Sequence, residues 1–129
     1  MFQSLASIRT NNFQDPDMVE KITQLWADVA NHNTDQAAPI YGIYHQYASN
    51  YRGDYTLSIA QKVGEDAGDI PQSMEYQEFP AENASPEAIY AVWQMIWQLE
   101  ETHEIDRAYE VDYEEYRPDG TASVFISIY

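Results

Sequence analysis

The chain has 129 residues and carries 22 Asp and Glu against 6 Lys and Arg, a formal net charge of −16. That charge disfavours direct binding to nucleic acid or to an anionic membrane surface, both of which need basic side chains, and it attracts cationic partners instead. Cysteine is absent, so disulfides, thiolate catalysis and cysteine-based metal sites are excluded.

Two helices are predicted from the residues at which they start. Asp15-Pro16-Asp17 and Ser85-Pro86-Glu87 each combine an N-cap residue, a proline suited to the first helical position and an acid in the first turn. Apolar residues then recur at helical spacing: Val19, Ile22, Leu25, Trp26 and Val29 after the first start, and Ile89, Val92, Trp93, Ile96 and Leu99 after the second, with Tyr90 and Trp97 widening the arc. Stripes of this width predict helices that pack on a sheet.

Six strands are predicted around these helices, at residues 3–10, 40–47, 55–63, 74–79, 107–116 and 121–129. The order strand, helix, strand, strand therefore occurs twice. It predicts an α+β fold of two strand-helix-strand-strand repeats related by a pseudo-two-fold axis, with two main helices on an antiparallel sheet. We expect a single domain over residues 1–129, with halves at about 1–64 and 73–129 and a linker at 64–72. A groove between such halves is a natural ligand site.

The strand predicted at 107–116 is rich in both acids and tyrosines. Alternation puts its side chains on two faces: Tyr109, Val111 and Tyr113 on one, and Glu110, Asp112, Glu114 and Tyr116 on the other. Periodicity alone assigns the first face to the core and the second to solvent. A carboxylate near the end of the strand could still point into a groove.

Motifs for catalysis, metals and cofactors are missing from the sequence. His32, His45 and His103 lack metal-ligand spacing, and the acids from Asp66 to Asp69 lack the calcium-loop pattern. There is no glycine-rich phosphate loop and no nucleophile elbow. We therefore assign no catalytic residue, no metal and no cofactor.

Targeting segments are not evident either. The N-terminus has no basic region followed by an apolar core, and no apolar run reaches membrane-spanning length. A soluble, cytoplasmic protein is expected. The number of Trp and Tyr exceeds what one small core needs, which favours a homodimer.

Aromatic residues and carboxylates together suit a lipophilic cation. The chain has 11 Tyr, 3 Trp and 4 Phe. An aromatic face attracts a cation by roughly 0.5 to 2 kcal/mol per contact. A nearby carboxylate adds a charge interaction that grows as water is excluded. Any single Tyr is nevertheless best explained as a core residue.

The segment 107–116 resembles a signature of the GyrI-like, or AraC-type, effector-binding domain family. Asp112-Tyr113-Glu114-Glu115-Tyr116 resembles its Asp-aromatic-Glu-x-Tyr motif. Leu25-Trp26, the strand 40–47 (IYGIYHQY), the strand from Tyr55 and the closing apolar strand at 125–128 are similar to family segments in the same order. The resemblance covers nearly the whole chain, and the family fold matches the repeat read from the elements.

The resemblance implies binding of small, often lipophilic cations, as in the sensor domains of multidrug-responsive transcription regulators. The family's signature glutamate, which faces the ligand cation, corresponds to Glu114, although the sequence leaves Glu115 open for that role. Surrounding aromatic residues are carried over to Tyr44, Trp26, Trp93, Trp97 and Tyr116.

Two departures from the family pattern have consequences. The stretch from Phe79 to Ser85 before the second helix is shortened, so the pocket is expected to be more open there. The first helix begins near residue 16 without a preceding helix-turn-helix, which favours a stand-alone module of the kind carried on bacterial integron cassettes.

Two alternatives to a non-catalytic binding module stay open. Some relatives inhibit a topoisomerase such as gyrase, and an acidic surface can imitate DNA charge. Other relatives hydrolyse electrophilic natural products, for which Glu114 would serve as general base.

Overall fold

The computed structural model describes residues 1–30, 37–64 and 67–129, which contain two helices and six strands. The predicted residues His32 and Asp66 lie outside this part of the chain. The elements in chain order are β1 (Phe2–Thr10), α1 (Met18–Ala30), β2 (Ile40–His45), β3 (Tyr55–Lys62), β4 (Tyr76–Pro80), α2 (Pro86–Glu101), β5 (Asp112–Tyr116) and β6 (Ala122–Ser127).

The six strands form one antiparallel sheet in the order β1-β3-β2-β5-β6-β4. The order β5-β6-β4 of the second half is that of β2-β3-β1 in the first, so the two halves meet edge to edge at the β2–β5 pair. This arrangement confirms the predicted α+β fold with two related strand-helix-strand-strand units. At the meeting point Gly42 lies opposite Glu114 and Tyr44 lies opposite Asp112.

Both helices pack on the same face of the sheet, near its two ends. Leu25 and Val29 of α1 pack with the buried side chains of β3, and Ile89, Val92 and Ile96 of α2 pack with those of β6. The apolar stripes read from the sequence therefore face the sheet, except that Val19 is 68% exposed and Tyr90 is 54% exposed. The helices cover the central strands β2 and β5 only in part, which leaves a groove between the helices.

The opposite face of the sheet carries an aromatic cluster. Phe2, Tyr41 and Tyr113 are buried there with ring centroids 5.0 to 5.6 Å apart, and Tyr113 stacks on Phe125. Ile70 from the predicted linker packs on this cluster and pairs with Phe2. The side chains of β2 and β5 that point away from the helices thus have a structural role.

The second helix begins where its capping signal predicts, whereas the first helix begins slightly later than its signal. Ser85 caps α2, since its side chain accepts a hydrogen bond from the backbone N–H of Ala88. Asp15 accepts from the N–H of Asp17 in the same way, but it also binds Lys21 and Thr10, and the helix itself begins at Met18. Residues 16–17 form a turn between Asp15 and α1.

The strand predicted at 107–116 was wrong in its first half. Regular pairing begins at Asp112, and Tyr109 has a positive φ of 54°, a left-handed conformation that interrupts an extended strand. Arg107 makes only an isolated bridge with Ile128. The assignment of the Asp112 and Glu114 face to solvent was also wrong, because both residues are buried beneath the helices.

Within the described residues, no helix combines the length and the apolar character needed to cross a membrane.

Candidate functional site

A cavity of about 730 Å³ occupies the groove between α1 and α2, above β2 and β5. That volume is within the range of small-molecule sites. We call it the central cavity. Its lining is mostly apolar and aromatic, and consists of Asn12, Phe13, Met18, Val19, Ile22, Thr23, Trp26, Tyr44, Tyr47, Tyr51, Tyr55, Ala84, Pro86, Ile89, Tyr90, Trp93, Trp97, Arg107, Glu114 and Tyr116.

Glu114 lies at the floor of the central cavity, where its carboxylate accepts three hydrogen bonds. Oε2 accepts from the Tyr44 hydroxyl at 2.9 Å and from Nε1 of Trp93 at 2.7 Å, and Oε1 accepts from the Tyr116 hydroxyl at 2.6 Å. A carboxylate has about four acceptor sites, so Glu114 keeps capacity for a further partner. The three donors come from β2, α2 and β5, and they fix the carboxylate between both halves of the fold.

Burial raises the pKa values of Glu114 and of the two tyrosines that donate hydrogen bonds to it. Desolvation raises the pKa of Glu114 above its usual range, because the three hydrogen bonds offset only part of the cost of burying the charge. Burial beside Glu114 likewise raises the pKa of Tyr44 and of Tyr116 well above that of a free tyrosine. Both hydroxyls therefore stay protonated at neutral pH and remain hydrogen-bond donors.

Aromatic rings form the inner wall around Glu114. Trp26 of α1 meets Tyr116 edge to face at 5.5 Å between ring centroids, and Trp93 of α2 meets Tyr44 at 5.0 Å. Each helix thus contributes one indole ring to the cavity floor. An acid surrounded by π-faces is a favourable environment for a cation with apolar substituents.

A second aromatic group lies nearer to the mouth. Tyr51 stacks on Trp97 with ring centroids 5.4 Å apart and an angle of 13°, and Phe13 and Tyr90 contact Trp97 at 5.7 and 6.0 Å. Phe13 is 57% exposed and Tyr90 is 54% exposed. Exposed large apolar side chains at the edge of a cavity indicate a surface that a ligand can cover.

Of the residues predicted from the sequence, all six candidates line the central cavity. Glu114, Tyr44, Trp26, Trp93 and Tyr116 meet at its floor, and Trp97 lies in the outer group. Glu115 points to the opposite face of the sheet, where it accepts hydrogen bonds from Tyr41 and Arg117. Successive side chains of β5 point to opposite faces of the sheet, so Glu114 and not Glu115 lies in the central cavity.

Several lining residues were not found from the sequence. Tyr55 begins β3 and shares the face of Leu57, so the register of the β2–β3 hairpin could have indicated it. Tyr51 lies in the hairpin loop and Phe13 precedes α1, where no periodicity assigns a direction. Arg107 falls within the strand predicted at 107–116, and only the tertiary structure places it in the lining of the cavity.

Metal chemistry has no ligand set in the described part of the chain, since no three His, Asp or Glu side chains there could hold a metal ion together.

Fold and cavity together define a small α+β protein with an acidic, aromatic pocket between two related halves. The chain matches the Cass2 family, described as integron-associated effector binding protein, over residues 6–129. It therefore belongs to the Cass2 family, and the predicted resemblance to effector-binding domains is confirmed.

Two solved structures share this fold. One is an integron cassette protein from the mobile metagenome of Vibrio cholerae, with a TM-score of 0.74 and 19% identity, over 100% of this chain and 95% of that chain. The other is SAV2435 bound to tetraphenylphosphonium, with a TM-score of 0.62 and 15% identity, over 100% of this chain and 93% of that chain. No curated protein gives a significant match to the chain.

Proposed function

We propose that this protein binds small lipophilic, aromatic cations in the central cavity and that it acts as a non-catalytic effector-binding module. The observation that carries the proposal is the buried carboxylate of Glu114, held by Tyr44, Trp93 and Tyr116 among aromatic rings. Among the described residues that line the cavity, Arg107 is the only Lys or Arg, and it is paired with Asp112. The charge of Glu114 is therefore left for a ligand.

The roles of the residues follow from their positions. Glu114 supplies the counter-charge, and the indoles of Trp26 and Trp93 supply flat apolar area with a negative π-face. Tyr44 and Tyr116 orient the carboxylate. The net charge of −16 adds a long-range attraction that concentrates cations near the protein and excludes anions.

The hydrogen bonds of Glu114 favour binding over general-base catalysis. A general base must present a free lone pair to a water molecule within hydrogen-bond reach. Burial raises the pKa of Glu114, but protein donors occupy three of its roughly four acceptor sites and oppose that shift, so only one site is left for a partner. The fold likeness to SAV2435, whose structure contains tetraphenylphosphonium, supports the class of ligand.

The test uses two ions of the same shape and opposite charge. Isothermal titration calorimetry and Trp fluorescence with tetraphenylphosphonium should show binding, whereas tetraphenylborate should not bind. Glu114→Gln should weaken tetraphenylphosphonium binding by about tenfold or more, as expected for the loss of a charge interaction in a dry site. Glu115→Gln is the matched control, because that side chain lies on the other face of the sheet, and it should leave the Kd unchanged.

Equal affinity for both ions, or equal loss in the two variants, would contradict the proposal.

A further inference from the structure

Aromatic rings line the central cavity in two separate groups. The inner group surrounds Glu114, and the outer group consists of Phe13, Tyr51, Tyr90 and Trp97, which we call the outer aromatic site. Among residues 1–30, 37–64 and 67–129, no close ring contact joins the outer aromatic site to the inner group. The cavity therefore offers two positions for aromatic parts of a ligand.

The two positions are set apart along α2. Trp93 belongs to the inner group, and Trp97, four positions later on the same helix, belongs to the outer aromatic site. A helix rises 1.5 Å per residue, so the two indoles are attached about 6 Å apart along its axis. A ligand that fills both positions therefore needs an arm between its cationic centre and its second ring.

Two rings of the outer aromatic site are open to a ligand. Phe13 is 57% exposed and Tyr90 is 54% exposed, and both line the cavity. Each ring contacts Trp97, at 5.7 and 6.0 Å between centroids, but in the described chain the two rings do not contact each other. Their exposed area is therefore available to a further ring.

Phe13 is held at the cavity mouth before any ligand arrives. Asn11 is 5% exposed, and its side-chain oxygen accepts hydrogen bonds from the backbone N–H groups of Phe13 and Gln14, both at 2.9 Å. Its amide nitrogen donates to the backbone carbonyl of Arg52 at 3.0 Å and to Oδ1 of Asp54 at 3.1 Å. Asn11 thus ties the segment that carries Phe13 to the loop between β2 and β3. A site fixed in this way loses little conformational freedom on binding.

The charges beside the outer aromatic site favour a neutral ring over a second cation. The guanidinium carbon of Arg52 lies 5.0 Å from the ring centroid of Tyr51. The carboxylate of Glu101 accepts hydrogen bonds from the Tyr51 hydroxyl and from Arg52, the latter at 2.7 Å. Because Glu101 already pairs with Arg52, a second ligand cation at this end of the cavity gains little from that acid and is repelled by Arg52.

We propose that the outer aromatic site binds a neutral aryl group at the end of a flexible arm, and that the preferred ligands of the central cavity are extended cations in which this arm joins the aryl group to the lipophilic cation held at Glu114. This inference rests on the proposed function and narrows its ligand class. Ring pairs gain affinity from edge-to-face and stacked contacts beyond the area that they bury. A saturated ring of the same size buries a similar apolar area but makes no such contacts.

Three probes that share one cation test the inference. They are triphenylphosphonium ions with a pentyl, a 5-phenylpentyl or a 5-cyclohexylpentyl arm. Burial of apolar area alone predicts that the phenyl and cyclohexyl probes bind about equally. We instead expect the phenyl probe to bind about threefold to tenfold tighter than the cyclohexyl probe in calorimetric titrations, and tighter than the pentyl probe.

The preference should depend on the two exposed rings. Phe13→Leu and Tyr90→Leu, singly and together, keep apolar side chains but remove the rings, so the ratio of the phenyl and cyclohexyl affinities should fall below about twofold in the double variant. Tyr129→Leu is the matched control, because Tyr129 is 77% exposed and lies outside the cavity lining, and it should retain the full ratio. Thermal unfolding establishes that each variant is folded.

The position of the arm is measured directly by NMR. In the complex with the 5-phenylpentyl probe, nuclear Overhauser effects should connect the terminal phenyl protons with the rings of Phe13 and Tyr90. Effects from those protons to Trp26 alone would place the phenyl group at the cavity floor. Sedimentation of the ligand-free wild type and of the double variant shows whether a second copy of the chain covers the outer aromatic site.

The outcomes separate the two proposals. Equal affinity of the phenyl and cyclohexyl probes, a ratio that survives the double substitution, terminal phenyl contacts at Trp26 alone, or a dimer that the double variant dissociates would overturn this inference and leave cation binding intact. Failure of all three probes to bind would overturn the proposed function, and this inference with it.

Discussion

Gly42 on β2 lies directly opposite Glu114 on β5, and a Cβ added at Gly42 would be 3.2 Å from Oε1 of that glutamate. The same Cβ would be 3.8 Å from Cδ1 of Leu57 and from Cζ2 of Trp26. Ordinary carbon–oxygen contacts are longer than 3.2 Å, so the glycine provides the space in which the carboxylate and the Trp26 indole meet. A small residue at this point of the sheet is therefore part of the cavity floor.

Gly42→Ala is expected to weaken tetraphenylphosphonium binding by about threefold to tenfold and to destabilise the fold by about 1 kcal/mol. The methyl group would displace a carboxylate that three hydrogen bonds hold in place. Calorimetric titration and chemical denaturation measure the two effects. Gly64→Ala is the control, because a Cβ there meets no atom of the described chain within 4 Å. Unchanged affinity in Gly42→Ala would show that the position of Glu114 is not critical.

Binding of a permanent cation is expected to weaken as pH falls. Burial raises the pKa of Glu114, so protonation begins at a higher pH than for a free glutamate and removes the counter-charge. A bound cation should lower that pKa again and release a proton. Tetraphenylphosphonium does not titrate, and its Kd measured between pH 4 and pH 8 therefore reports on the protein. The dependence should be flat in Glu114→Gln, and a flat wild-type profile would contradict this assignment.

The stability of the ligand-free protein should also depend on the protonation of Glu114. Whereas cation binding weakens as pH falls, the contribution of Glu114 to folding stability should increase. A carboxyl whose pKa is raised in the folded state contributes stability at pH values below its unfolded pKa, and that contribution is lost as pH rises through the folded pKa. Glu114→Gln should therefore unfold at a higher temperature than the wild type at pH 7, with a smaller difference near pH 4. Thermal unfolding at both values measures this. A variant that is less stable than the wild type at pH 7 would show that the three hydrogen bonds outweigh the burial of the charge.

Asp112 should be far more important for stability than an exposed acid in a similar ion pair. Its pair with Arg107 is buried, with side-chain exposures of 0% and 1%, whereas Glu101 and Arg52 are 52% and 62% exposed. Asp112→Asn removes one charge of a buried pair, which typically costs about 3 to 5 kcal/mol. Glu101→Gln should cost less than about 1 kcal/mol. Urea denaturation of both variants tests the contrast, and similar losses would contradict it.

Much of the fold could be predicted because its signals are local. Ser85-Pro86-Glu87 specifies a helix start through capping and backbone geometry, and the alternation of Tyr55, Leu57 and Ile59 specifies a strand with one buried face. The repeated element order then limits the arrangement of the sheet. The predicted homodimer and the cytoplasmic location stay predictions.

The errors occurred where two faces of the sheet are both buried. Periodicity distinguishes core from solvent only when one face meets water, and β5 carries buried Tyr113 on one side and buried Asp112 and Glu114 on the other. Val19 shows the converse, since its apolar side chain lies at the cavity edge and not in the core. Whether such residues are buried or exposed depends on contacts between segments that are far apart in the sequence.

Local patterns in the sequence predicted most of the helices and strands and the repeated α+β order, and the resemblance to a family predicted the six candidate residues. The pleat of β5, the register of Gly42 against Glu114 and the placement of Arg107 beside Trp93 were decided only by the tertiary structure. Helix caps and alternation depend on residues a few positions apart. The central cavity joins side chains from β2, α2 and β5. Tyr44 and Glu114, for example, are hydrogen-bonded although 70 positions separate them in the sequence, and their meeting depends on how the two halves pair.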